Sequence, residues 1–116
     1  MKRIDMNEVR KSFQQGAEES TELGKLHQVA VEGFQSVPGY TIGVVMEYST
    51  GHQEFDIMGN HGTMSIAYYG NLGRYLIGAP AGMNLTTEDL CAPNAEQAAR
   101  VIGRFKGYVQ TARVPL

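Results

Sequence analysis

The chain contains a single cysteine in 116 residues. Cys91 has no second cysteine to pair with, so no intrachain disulfide holds the fold, and a cytoplasmic location is expected. Long apolar runs are also missing. None approaches the roughly 20 residues that a membrane-spanning helix needs, and no membrane partner is expected. Clusters of basic residues are absent too: Lys and Arg number 10 against 12 Asp and Glu, for a net charge of −2 and a pI near 5.9. Only Lys2-Arg3 and Arg10-Lys11 are adjacent. This balance argues against a protein that tracks nucleic-acid backbones. The stretch from Met1 to Glu8 leads into a charged amphipathic pattern, so no signal peptide is expected. Internal repeats and low-complexity tracts are lacking. His-x-His and Glu-x-x-His spacings are lacking as well, and no Gly-Lys-Ser/Thr follows Gly78-Ala79-Pro80-Ala81-Gly82. Neither a metal site, a phosphate loop nor a cofactor is therefore expected.

What is present is enough apolar residue to fold. Hydrophobic content is 42% and charged content 19%, which suits one domain over residues 1–116 with a single core. The organising stretch runs from Tyr40 to Ala79 and reads as a four-stranded antiparallel meander. In the first strand, Tyr40 to Ser49, Ile42, Val44, Met46 and Tyr48 alternate with Thr41, Gly43, Glu47 and Ser49, and only Val45 spoils the polar side. Period two with β-branched residues signals a half-buried strand. The second strand, His52 to Met58, turns Phe55 and Ile57 inward and Glu54, Asp56 and Met58 outward. Thr63 to Tyr69 offers Met64, Ile66 and Tyr68 to the inside, and Arg74 to Ala79 offers Tyr75 and Ile77. Gly and Asn at the three loops supply the positive φ of tight hairpins. A two-residue loop at Thr50-Gly51 would set Met46 opposite Phe55 and Val44 opposite Ile57. Loops at Gly59–Gly62 and Gly70–Gly73 would set Phe55 opposite Ile66 and Tyr68 opposite Tyr75.

Helices flank the sheet. Residues 5–35 carry helical spacing, with Met6, Val9, Phe13 and Ala17 on one face and Leu23, Leu26, Ala30 and Phe34 continuing it. This is one helix or a pair, and a break near Gly16 to Ser20 is expected because Ser20-Thr21-Glu22 has cap chemistry. Thr86 to Leu90 suggests one helical turn. Pro93-Asn94 opens the last helix, with Asn94 as N-cap and Ala98, Val101, Ile102, Phe105, Tyr108 and Val109 as its apolar stripe. The expected class is α+β: an N-terminal helix or helix pair, the meander, and a C-terminal helix packed on one face of the sheet.

The polar face of the sheet carries the functional expectations. The assumed register puts Glu47 directly opposite Glu54, with Asp56 one step along. Facing like charges are unfavourable, so solvent, a cation or a basic partner must offset them. Val45, Met58, Ala67, Tyr69 and Leu76 share that face, and an apolar patch of this kind suggests self-association, most simply a two-fold homodimer. Two binding readings follow. In the first, the chain is a non-catalytic, inhibitor-like module that engages a basic protein through Glu47, Glu54, Asp56, Val45, Met58, Tyr69 and Leu76. Toxin-neutralising proteins fit this description physically. In the second, Tyr48, Met46, Phe55, Tyr68 and Tyr75 line a small-molecule pocket between sheet and helix. An enzyme using Asp56 or Glu54 as general base is the third reading, although no sequence feature brings a histidine to either. His52 and His61 lie at opposite ends of one strand, roughly 30 Å apart, and cannot share a metal. Cys91, near a helix N-terminus, reads either as a reactive thiol or as a small buried residue.

Overall fold

The computed structural model describes residues 22–112 of the chain. In order, these form helix α1 (Glu22–Phe34) and strands β1 (Tyr40–Ile42), β2 (Met46–Glu47), β3 (Gln53–Gly59), β4 (Met64–Tyr69) and β5 (Arg74–Gly78). A 3-10 turn (Ala81–Met83), helix α2 (Thr87–Leu90), strand β6 (Cys91–Ala92) and helix α3 (Ala95–Ala112) follow. The α+β class and the order of helix, antiparallel sheet and C-terminal helix are as expected. The strand count is not: the sheet has six strands, in the order β1-β3-β4-β5-β6, with β2 also paired to β3. The first expected strand is split in two, and Cys91–Ala92 adds a short edge beyond β5. The expected break near Gly16 to Ser20 lies outside the described residues, as does the chain beyond residue 112.

Both long helices follow from their apolar spacing. On α1, Leu23, Leu26, Ala30 and Phe34 are buried, three or four residues apart and so on one face. On α3 the buried positions are Ala98, Val101, Ile102, Phe105 and Val109, with Tyr108 packed at their margin. The Asn94 side chain caps α3 by accepting from Gln97 N at 2.8 Å, the partner expected from sequence. These two stripes meet the inner sheet face, where Phe55, Ile57, Met64, Ile66, Tyr75 and Ile77 are all buried. Phe34 of α1 and Phe105 of α3 pack ring to ring at 5.8 Å. After β5 the chain winds into the 3-10 turn, which buries Met83.

Two of the three hairpins have the expected register. Phe55 pairs with Ile66 and Ile57 with Met64, then Ile66 with Ile77 and Tyr68 with Tyr75. The first hairpin differs by two successive one-residue shifts. Tyr48 N donates to His52 O at 3.0 Å, and Gly51 sits at φ +87, so the loop has three residues rather than two. Met46 therefore faces Glu54, and Glu47 faces Gln53. Further along, Gly43 N donates to Asp56 O at 2.8 Å and Ile42 faces Ile57. Val44 and Val45 together oppose Phe55, which is a β-bulge. The Nε2 of His27 on α1 donates to the Gly43 carbonyl at 2.9 Å, and its ring meets the Phe55 ring edge-on at 5.1 Å. The helix thereby braces the bulge from the inner side.

Deleting Val44, which is 61% exposed, should regularise this ladder without moving anything beyond it. Val45 would then oppose Phe55 alone, and Met46 would keep Glu54. The expected cost is below about 1 kcal/mol. Amide exchange or nuclear Overhauser contacts should still place Met46 beside Glu54.

Candidate functional site

The three-residue loop and the bulge together decide which side chains the sheet presents to solvent. Across the uncovered face, one row runs Tyr48, His52, Tyr69, Arg74 and the next Met46, Glu54, Ala67, Leu76, Cys91. A third row runs Gly43, Asp56, Ser65, Gly78. Of the residues expected on this face, Glu54, Asp56, Met58, Tyr69 and Leu76 are there. Glu47 and Val45 are not: the register turns Glu47 to the side of Gln53, and Val45 packs against the core. The expected facing pair of Glu47 and Glu54 therefore does not form. Met46 and Tyr48, expected to face inward, take the vacated places and are 51% and 43% exposed.

The gain is an aromatic stack that sequence reasoning missed. The Tyr48 and His52 rings lie 4.6 Å apart and 9° from parallel, and His52 and Tyr69 lie 4.5 Å apart at 11°. His52 is held further by a contact between its Nδ1 and Thr50 Oγ1. Three rings on three chain segments thus form a wall across one end of the face. The Tyr48 phenol is held above its ordinary value of 10.0, first by burial, then by the nearby Glu54 carboxylate and then by Asp56. Glu54 and Asp56 are half-buried, and among the described residues neither forms an ion pair. Asp56 stands in the row of small residues: Met58 Cε lies over Gly43, and Ser65 fills the space a side chain at position 78 would need.

The residues expected to line a pocket do not converge. Phe55 and Tyr75 are buried in the core, and Tyr68 packs on Tyr75 at 4.8 Å on the inner side. Met46 and Tyr48 are on the opposite face. Beside Tyr68, Gln53 turns inward with its side-chain oxygen buried and without a hydrogen-bond donor among the described residues. At the far edge of the open face, Arg74, Thr87, Glu88, Cys91 and Pro93 line an open groove of about 530 Å³. Arg74 crosses it to donate to the Cys91 carbonyl at 3.3 Å. Cys91 is a half-buried free thiol. Among the described residues no group of three or more His, Cys, Asp and Glu could hold a metal ion, and no helix is long and apolar enough to cross a membrane. No family model, curated protein or solved structure matches the chain.

Asp89 on α2 is a contrasting carboxylate, buried and fully engaged. Thr86 Oγ1 accepts from Asp89 N at 3.1 Å while Asp89 Oδ2 accepts from Thr86 N at 3.2 Å, a reciprocal cap. Gln97 donates to its Oδ1 at 2.7 Å and Arg104 to its Oδ2 at 3.0 Å, both from α3. Hydrogen bonds from Thr86 and Gln97, with Arg104 adding its charge, hold Asp89 below the ordinary carboxylate value of 3.8. A depressed folded value makes this contribution complete above 3.8 and lost as pH falls below it through the folded value. Asp89→Asn should therefore melt below wild type at neutral pH, and the gap should close as pH falls below 3.8 and Asp89 protonates. Melting temperature against pH for the two proteins checks this.

Proposed function

We propose that the chain is a non-catalytic protein-binding module whose docking surface is the uncovered face of its sheet. One observation carries the reading. Among the described residues the helices cover only the inner face, while the outer face combines exposed Met46, Tyr48 and Met58 with two carboxylates that have no ion-pair partner there. Aromatic residues and Met are enriched at protein interfaces, and unpaired acids select a basic partner by complementarity. An inhibitor-like role, neutralising a basic protein, fits this surface. The free thiol of Cys91 fits a cytoplasmic setting.

A homodimer would use the same face. A two-fold arrangement would bring two copies of Glu54 and Asp56 together, with Arg74 as the only described cation on each surface. That count favours a different, basic partner over a second copy. A small-molecule role rests on the inner face, where the buried Gln53 oxygen beside Tyr68 would orient a hydrogen-bond donor.

Affinity capture from the native source, with wild-type protein beside a Glu54→Gln, Asp56→Asn variant, tests the main reading. Wild type should retain a protein with a basic surface that the variant loses. Recovery of the same proteins by both would sink the proposal.

A further inference from the structure

The acids on the open face are spaced for a particular kind of chain. Glu54 and Asp56 are two positions apart on β3, so their side chains leave the sheet about 6.7 Å apart. Any extended segment repeats its own same-side residues at that interval. Reading outward-facing positions along β3 gives His52, Glu54, Asp56 and Met58: an aromatic wall, two acids, then a methionine 41% exposed. The residues flanking Asp56 across the sheet are small, Gly43 and Ser65, and Gly78 follows. Glu54 stands next to the aromatic wall, two positions after His52 on the same side and opposite Met46.

We propose that this face receives an extended basic segment of a partner protein, with Lys or Arg at alternate positions and an apolar residue two positions outside them. This rests on the protein-binding reading above and specifies the partner segment. Facing sheet layers lie about 10 Å apart, a gap that the long stems of Lys or Arg span with their charged ends at the carboxylates. One cation pairs with Asp56 over the row of small residues. The other pairs with Glu54 beside the aromatic wall, and the apolar residue contacts Met58. A second copy of this chain lacks that pattern on the same face, because Arg74 is its only described cation.

The test uses the full chain and two fluorescent synthetic peptides of equal composition. One has the order Leu-Thr-Arg-Thr-Arg-Thr-Leu; the other places the two Arg side by side. Binding is followed by anisotropy at low salt, where exposed charge pairs are least screened. The alternating peptide should bind about tenfold more tightly than its isomer. Glu54→Gln and Asp56→Asn, each unfolding at the wild-type midpoint, should abolish the preference. Equal binding of the two peptides overturns the inference, and so does a preference that survives in both variants. Sedimentation of the unliganded chain as a dimer that the alternating peptide leaves intact also overturns it, because the second copy would then occupy the face. If either peptide result is negative while capture still yields a face-dependent basic partner, this inference falls and the broader reading stands. If capture fails too, both fall.

Discussion

Gly59→Ala is expected to destabilise the protein by about 2–4 kcal/mol, lowering its melting temperature by roughly 10–20 °C. Gly59 lies in extended strand backbone, which alanine adopts freely, so the cost comes from contact alone. A Cβ at this position would stand 2.5 Å from three atoms of the Tyr40 ring. That ring cannot move cheaply. Its hydroxyl donates to the Gly62 carbonyl at 2.8 Å and accepts from His61 N at 3.2 Å, which closes the β3–β4 loop. The ring packs on Phe34 and Phe105 at 5.6 and 5.9 Å, so it also joins both helices to the edge strand. A methyl group must therefore expel Tyr40 and forfeit these bonds together. The same substitution in a Tyr40→Ala background should cost less than about 1 kcal/mol, a coupling that a double-mutant cycle measures by denaturant unfolding. Additive losses would show that the ring and Gly59 do not oppose each other as described.

Tyr40 and Gly59 also show what the sequence made legible and what it did not. The second and third hairpins could be read because Gly62 and Gly73 occupy positive φ, and because one register alone keeps Phe55, Ile66 and Ile77 on the same side. The helical stripes of α1 and α3 were legible for the same reason: burial demands a fixed period. The first hairpin failed through two local features that leave hydrophobic content unchanged. A loop of Ser49, Thr50 and Gly51 is as compatible with its residues as a two-residue turn. A bulge adds one position without changing which residues are apolar. Yet a signal existed, because Val45 broke the alternation next to Gly43, and a glycine inside a strand often marks a bulge. Taking the anomaly as structure rather than noise would have turned Met46 and Tyr48 outward. The stack on His52 would still have been hidden, since ring packing across three segments leaves no pattern along the chain. The edge strand Cys91–Ala92 was hidden similarly: two residues are too few for any period, and pairing with Tyr75 and Leu76 fixes them.

The same difference in register yields the sharpest functional contrast. Reversing charge on the open face with Glu54→Lys and Asp56→Lys should weaken a basic partner by a hundredfold or more, about 3 kcal/mol or above. Attraction is lost, and two like charges are placed in the contact. Both residues are only partly buried and free of ion pairs among the described residues, so stability should change by less than about 1 kcal/mol. Glu47→Lys is the informative control. The alternation of the first strand places Glu47 with these acids, and a two-residue loop with no bulge would make all three changes equivalent. With Glu47 opposite Gln53 and turned from the face, its reversal should leave affinity within about threefold of wild type, the residue of long-range charge screened by salt. Titration calorimetry of the three single variants against the captured partner separates the two geometries. Comparable losses at positions 47 and 54 would mean that the pairing of Glu47 with Gln53 does not persist in the complex. A loss confined to positions 54 and 56 would mean that the three-residue loop at Ser49–Gly51 selects the binding surface.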